Sequence, residues 1–274
     1  MDLYAVIGNP VEHSQSPRIH SYFAEQTGEQ LRYERILAEV DGFGEAVDHF
    51  RAQGGKGLNV TVPFKLDACE YADELSERAR LAQAVNTLRF RDDGKVLGDN
   101  TDGAGLVVDL QQNLGITLQG ADILILGAGG AVRGVLGPLL AEHPQHIVIA
   151  NRSMEKAILL AEQFHTWGEV CGCGYADLGT QSFDLIINGT SMGLSGQMPA
   201  LPASILKPGG AVYDMAYGHE PTVFVEWGRA HGANISADGL GMLLEQAAES
   251  FFIWRGIRPA TQTLRDELLR QKSY

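Results

Sequence analysis

The 274-residue chain is poor in cysteine, in long apolar runs and in positive charge, and each shortage removes a class of protein. Its three cysteines, Cys69, Cys171 and Cys173, are odd in number, and the Cys-x-Cys pair lacks the further ligands a zinc site needs; no metal is expected. Free thiols fit a reducing cytoplasm. The N-terminus, Met1 to Gly8, has no basic lead and too short an apolar run for a signal peptide. Residues 123–141, the most apolar later stretch, hold Arg133, five glycines and Pro138, and read as a buried strand and a packed helix, not a membrane span. Lys and Arg number 21 against 34 Asp and Glu, a net charge of −13. That balance excludes a nucleic-acid surface but not a local basic pocket for a small anion. No repeats, low-complexity segments or long Pro/Gly/Ser linker are present, and the length is natural for two domains.

Against these absences, residues 121–156 stand out. The apolar run Ile123-Leu124-Ile125-Leu126 stops at Gly127-Ala128-Gly129-Gly130-Ala131, and a second, Ile147-Val148-Ile149-Ala150, stops at Asn151-Arg152-Ser153. This is the pattern of a strand, helix, strand unit that binds a dinucleotide. Glycines let bare backbone approach a pyrophosphate, whose charge then rests on the N–H groups opening the helix. The third glycine of the usual fingerprint would fall at Val132, a departure. Where an NAD site places a carboxylate, this chain has Asn151, followed by Arg152, Ser153 and, one turn on, Lys156. Two cations and a hydroxyl suit a 2′-phosphate, so the expected cofactor is NADP; ordinary surface charges are the other reading of Arg152 and Lys156.

Alternating short apolar runs and helical periods predict strands near 4–8, 32–37, 57–60 and 87–91, and helices near 17–26, 42–52 and, as a pair, within 65–83. A helix over 103–114 leads into the nucleotide half, with further strands near 185–188, 211–214 and 234–236. Helices near 241–254 and 261–271 follow. The expected fold class is α/β in two domains: an α/β substrate domain of residues 1–102, completed by helices in 240–274, and a Rossmann-like dinucleotide-binding domain of residues 103–239. A deep interdomain cleft that closes on binding is expected between them.

The first domain concentrates polar residues at element ends. Ser14 and Ser16 precede a helix opened by Pro17; Ser16 either caps that helix or joins Ser14 in holding an anion. In Leu58-Asn59-Val60-Thr61-Val62, alternation puts Asn59 and Thr61 on one face and Leu58, Val60 and Val62 on the other. Lys65 then enters a helix at its positive end, where local stability disfavours it. Asp102 could cap the helix that follows it. One Lys and one Asp among Asn59, Thr61 and Asn86 also make a plausible site for a polyhydroxylated ring and proton transfer at one of its oxygens.

These motifs, taken in order, resemble the shikimate dehydrogenase family over essentially the whole chain: Tyr4 to Pro10 with His13 to Pro17, Asn59 to Lys65, Ala84 to Thr87, Gly98 to Gly103, Gly127 to Ala131, Asn151 to Ser153, Tyr213 to Tyr217 and Asp238 to Ala247. The resemblance implies NADPH-dependent, reversible reduction of 3-dehydroshikimate to shikimate on the route to chorismate and aromatic amino acids. It implies Lys65 and Asp102 as the catalytic pair, Ser14 and Ser16 on the ring carboxylate with Tyr217 nearby, and Asn59, Thr61, Asn86 and Gln246 around the ring hydroxyls. It places the pyrophosphate at Gly127, Ala128, Gly129, Gly130 and Ala131, the adenosine end at Asn151, Arg152, Ser153 and Lys156, and the nicotinamide end at Met215 and Gly239, with Glu77 a further cofactor contact. His13 is expected to hold its loop and not to donate a proton. A monomer or homodimer in the cytoplasm is expected, without nucleic-acid or membrane partners.

Ser153 and Lys156 stand where the family commonly has Thr and Arg. Lys lacks the bidentate fork, so weaker cofactor discrimination is expected. Quinate/shikimate dehydrogenases that accept NAD, with an Asp near this strand end, are the alternative reading. A non-catalytic NADP-binding regulator is a second, opposed by the presence of both Lys65 and Asp102.

Overall fold

A computed structural model describes residues 1–190, 192 and 197–272. The chain divides into two compact units, Met1–Gly105 with Leu244–Glu267, and Leu106–Leu243 with Leu268–Tyr274. The α/β class is as the residues imply.

The first unit is built on strands β1 (Asp2–Gly8), β2 (Leu31–Leu37), β3 (Gly55–Val60), β4 (Glu74–Leu75), β5 (Thr87–Phe90) and β6 (Val96–Asp99), in the order β2-β1-β3-β5-β6-β4. Strands β1, β2 and β3 run parallel, whereas β5 is antiparallel to β3 and β6, so this sheet is mixed. Helices α1 (Ser16–Thr27), α2 (Phe43–Ala52), α3 (Lys65–Tyr71) and α4 (Glu77–Ala82) connect the strands. Strand β1 is apolar on both faces because both are covered. Ala5 and Ile7 join Val47, Leu58, Val60 and Phe64 on one side, while Tyr4, Val6, Tyr33 and Trp254 pack on the other. Val62, expected on one face with the buried Leu58 and Val60, is 62% exposed, because the ladder ends at Val60 and alternation has no meaning beyond it.

Helix α5 (Asp102–Val108) continues into a π-helical turn, Asp109–Asn113, so the single helix expected over 103–114 changes its winding half-way. The second unit then runs β7 (Asp122–Leu126), α6 (Gly130–Ala141), β8 (His146–Asn151), α7 (Met154–Phe164), β9 (Val170–Gly174), β10 (Phe183–Asn188), β11 (Leu206–Asp214), α8 (Val223–Ala230) and β12 (Ile235–Asp238). All six strands are parallel, in the order β12-β11-β10-β7-β8-β9. Counted from β7 this is the doubly wound order 3-2-1-4-5-6, whose reversal between β7 and β10 is where such sheets receive a dinucleotide. Helix α9 (Leu240–Arg255) begins in the second unit and ends in the first, where Trp254 donates to the Leu88 carbonyl at 3.0 Å. Helix α10 (Gln262–Arg270) follows. No helix among the described residues is long and apolar enough to cross a membrane, and none of their His, Cys, Asp and Glu side chains group as a metal site.

Val132, where the fingerprint has glycine, is fully buried on α6. The small residue sits on the opposite wall: a Cβ on Gly189, just past β10, would lie 2.5 Å from Val132 Cγ2. Close approach of helix and sheet is therefore kept by moving the glycine to the partner. Gly189→Ala is expected to cost about 1–3 kcal/mol of stability, as overpacking does, and Val132→Ala in the same chain should recover part of it. Urea unfolding of the four members of the cycle checks this; strictly additive losses would mean the two side chains do not compete for space.

Candidate functional site

Lys65 is the first residue of α3, directly after the fully buried Phe64, and its ammonium pairs with the Asp102 carboxylate at the start of α5. The acid at 102 offsets the positive helix end that disfavours Lys65 there. Asp102 is not spent on capping: its Oδ2 accepts from Lys65 and its Oδ1 from Asn86 Nδ2 at 2.8 Å. Instead the Asn100 side chain accepts from the Asp102 N–H at 3.1 Å. Asn86 cannot flip, because its Oδ1 accepts from the Thr101 backbone N–H at 2.9 Å. Its amide group is thereby aimed at Asp102, with Thr101 Oγ1 at 2.9 Å and Gln246 Oε1 at 3.4 Å beside it. Asp102 and Asn86 are 7% and 3% exposed, while the side chain of Lys65 keeps 24% of its surface open.

Ser16 is the first residue of α1, and Gln15 occupies the cap position with no side-chain bond, so Ser16 does not cap the helix. Ser14 Oγ accepts from the Ser16 N–H at 3.3 Å and donates to Ser16 Oγ at 3.2 Å. The Ser14 carbonyl is held by Arg35 at 2.6 Å. Asn59 is consumed internally. Its Oδ1 accepts from Tyr33 Oη at 2.7 Å and faces His20 Nε2 at 3.1 Å, and its Nδ2 reaches Ser250 Oγ at 2.9 Å and the Asn86 carbonyl at 3.3 Å. Thr61 is half-buried, and its hydroxyl has no hydrogen-bond partner among the described residues. Glu77 is exposed at the start of α4, likewise without a partner.

In the second unit, Gly127 ends β7 with φ +105°, a conformation glycine alone adopts readily. Gly129 precedes α6 and Gly130 opens it; a Cβ on either would meet no protein atom within 4 Å, and Gly129, Gly130 and Ala131 are exposed. Bare glycine where the protein itself leaves space, at the open N-terminus of a twelve-residue helix, fits a group that brings its own atoms and negative charge. Beyond β8, Asn151 Nδ2 donates to the Ser153 carbonyl at 3.0 Å and Ser153 Oγ to Glu155 at 3.0 Å. The Arg152 and Lys156 head groups are exposed and have no hydrogen-bond or ion-pair partner among the described residues, in a chain where many other cations are paired. Such a pair of cations is chemically suited to a phosphate dianion. At the end of β11 the buried Asp214 accepts from Asn188, Ala216 N–H and Thr222 at 3.0, 3.1 and 2.6 Å. A Cβ on Gly239 would lie 2.3 Å from the Met215 carbonyl, so only glycine fits there. Tyr217, in the same unit, is 40% exposed.

Residues 6–88 match the model of the shikimate dehydrogenase substrate binding domain, residues 109–194 that of shikimate / quinate 5-dehydrogenase, and residues 239–269 that of the shikimate 5'-dehydrogenase C-terminal domain. The chain belongs to the shikimate dehydrogenase family. The shikimate dehydrogenase (NADP(+)) of Laribacter hongkongensis is 57% identical over 267 residues, covering 97% of each chain. That of Methylococcus capsulatus is 55% identical, covering 97% of this chain and 96% of its own. The solved shikimate 5-dehydrogenase of Thermus thermophilus, in complex with NADP(H) and shikimate, shares 31% identity with a TM-score of 0.87, covering 99% of this chain and 100% of that one.

Within this family frame, the first unit brings Lys65, Asn86, Asp102 and Gln246 into one bonded cluster and Ser14 with Ser16 into another. Asn59 belongs to the scaffold beneath them. Sequence reading passed over His20, Tyr33 and Ser250. His20, between Ile19 and Phe23 on the buried face of α1, was with Ser16 a sign that this face is not purely apolar.

His20 is fully buried among Tyr33, Phe23, Phe251 and Trp254, and desolvation lowers its pKa from 6.5 to about 3, opposed only by its bond to Asn59. Between those values the unfolded chain binds a proton that the folded one refuses. The contribution is therefore complete above pH 6.5 and is lost as pH falls toward 3, at up to about 1.4 kcal/mol per pH unit. His20→Phe should flatten the decline of the urea midpoint between pH 6.5 and pH 4.5. An equally steep decline in the variant would assign that limb to other groups.

Proposed function

We propose that this chain catalyses the NADPH-dependent, reversible reduction of 3-dehydroshikimate to shikimate, the first unit taking the substrate and the second the nucleotide. The observation that carries the reading is the Lys65–Asp102 pair, half-open and locked from behind by Asn86. The NADP(+)-dependent naming of relatives above 50% identity supports the cofactor, as do the unpaired cations at 152 and 156. The absence of a carboxylate at position 151 weighs against NAD.

When bound, NADPH supplies the hydride. Lys65, as ammonium, donates to the ketone oxygen as negative charge grows there and completes the transfer with a proton. Asp102 aims Lys65 and accepts from the neighbouring ring hydroxyl. Thr61 and Gln246 offer a hydroxyl and an amide to the ring, Asn59 and Asn86 shape the pocket around it, and Ser14 and Ser16 take the carboxylate, with Tyr217 proposed as a further substrate contact. Gly127, Ala128, Gly129, Gly130 and Ala131 would receive the pyrophosphate on bare backbone and helix N–H groups. Asn151, Arg152, Ser153 and Lys156 would hold the phosphorylated ribose, and Met215 and Gly239 the nicotinamide. No contact in the structure singles out Glu77, which stays outside this set. The proposed setting is the cytoplasm, as monomer or homodimer, in keeping with three free thiols.

Lys65→Ala is expected to lower kcat by about 10²- to 10⁴-fold, the worth of a positioned acid–base group. Near-normal kcat would remove Lys65 from that role. Arg152→Ala should raise the KM for NADPH at least about tenfold more than that for 3-dehydroshikimate, since its contact lies away from the reacting atoms. Equal changes in both constants would point to a folding defect instead.

A further inference from the structure

Strands β11 and β12 end on two carboxylates in register, Asp214 beside Asp238, where the second unit is proposed to hold the nicotinamide. Asp214 is fully buried and held by neutral donors, from Asn188, Thr222 and the Ala216 N–H; no cation pairs with it among the described residues. Asp238 is answered differently. Its Oδ1 accepts from the Leu240 N–H at 3.2 Å as α9 opens, and its Oδ2 pairs with the Lys272 ammonium. Lys272 lies two residues past α10, in a part of the chain that belongs to the second unit, and is fixed by its N–H on the Leu269 carbonyl at 3.2 Å. The two side chains keep only 7% and 4% of their surface open. Burying a lysine costs side-chain freedom and hydration, and an ion pair so placed adds little net stability over an apolar pair of the same shape. What the pair supplies is charge balance.

Gly239 follows Asp238 directly, donates its N–H to the Ala216 carbonyl at 3.0 Å and lies tight against the Met215 backbone. The Asp238 carboxylate is thus one residue from the backbone proposed to receive the nicotinamide. Burial pushes the Asp214 carboxyl and the Tyr217 phenol above their ordinary pKa values, and the Asp238 charge adds to both shifts. The nicotinamide ring carries a full positive charge in NADP+ and none in NADPH. An uncompensated carboxylate at 238 would therefore favour the oxidised form over the reduced one.

We infer that Lys272 is a specificity-determining residue of the nicotinamide subsite: by cancelling the Asp238 charge it keeps that subsite from holding oxidised cofactor in preference to reduced. This suits a site that takes up NADPH and must release NADP+. The inference rests on the reading of Met215 and Gly239 as the nicotinamide end.

The test is calorimetric binding of NADP+, NADPH and 2′,5′-ADP, which has a phosphorylated ribose but no nicotinamide, to the full chain and to Lys272→Gln, Asp238→Asn, the double variant and Met215→Ala. A buffer of about pH 8.5 keeps free carboxylates ionised. Each amide removes a charge but can still hydrogen-bond across the pair, which preserves the fold. Lys272→Gln should lower the ratio of the Kd for NADP+ to that for NADPH about three- to tenfold, the worth of one partly screened charge acting on another, and Asp238→Asn should raise it by a similar factor. The double variant, neutral at both positions, should return to within about twofold of wild type. Binding of 2′,5′-ADP should be alike in the wild type and all three of these. A pair that serves stability alone would shift both cofactor forms together in each single variant. An unchanged ratio in Lys272→Gln, with Met215→Ala still weakening NADP+ more than 2′,5′-ADP, overturns this inference by itself. If Met215→Ala weakens NADP+ and 2′,5′-ADP by the same factor, the nicotinamide assignment fails, and the inference with it.

Discussion

The Asn86 carboxamide is the constraint on which the first unit's chemistry depends. One end is fixed by a backbone N–H that can only donate, so the other end must present its hydrogens, and Asp102 Oδ1 receives one of them at 2.8 Å. With that oxygen occupied, Asp102 has Oδ2 for Lys65. The arrangement is over-determined: Thr87 and Thr101 hydroxyls and Ser250 surround Asn86 and Asn59. A buried network of this kind is stabilising only when every member is satisfied, so no part can drift without stranding another. Preorganisation of the charged pair follows from the scaffold and needs no motion of α3 or α5.

The second unit solves the opposite problem. Glycines at 129 and 130 stand clear of protein atoms, the helix they open has no side-chain cap, and Arg152 and Lys156 have no partner among the described residues. The contrast in polar saturation between Asn86 and Arg152 is the physical difference between a residue fixed in its scaffold and one able to take a dianion.

Much of this was legible in the sequence. The parallel strands β7, β8 and β10 carry the apolar runs Ile123–Leu126, Ile147–Ala150 and Leu185–Ile187, and glycines or Arg152 follow their ends. Three strands were not. β4 has two residues, too few for any period, and β6 reads Val-Leu-Gly-Asp, with half its residues poor strand formers. β9 reads Val-Cys-Gly-Cys-Gly because a Cβ at Gly172 would come within 2.3 Å of the Ala157 backbone, so contact with α7 outweighs strand propensity. In the site, Lys65 and Asp102 were visible as polar residues at element ends. The saturation of Asn59 was not, since its partners His20, Tyr33, Asn86 and Ser250 come from four other segments, one of them 191 residues away. Which of several polar residues faces ligand and which faces scaffold is a tertiary fact, and spacing alone does not contain it.

We propose that the locked Lys65–Asp102 pair and the free cations at 152 and 156 together carry NADP-dependent shikimate dehydrogenase activity in this chain. The most direct measurement is the initial rate of nicotinamide reduction by the purified protein with shikimate or quinate crossed against NADP+ or NAD+. A rate dominated by shikimate with NADP+ is expected. Comparable rates with quinate or NAD+ would contradict the specificity read from position 151 and its neighbours, and no rate in any of the four assays would contradict the catalytic role itself.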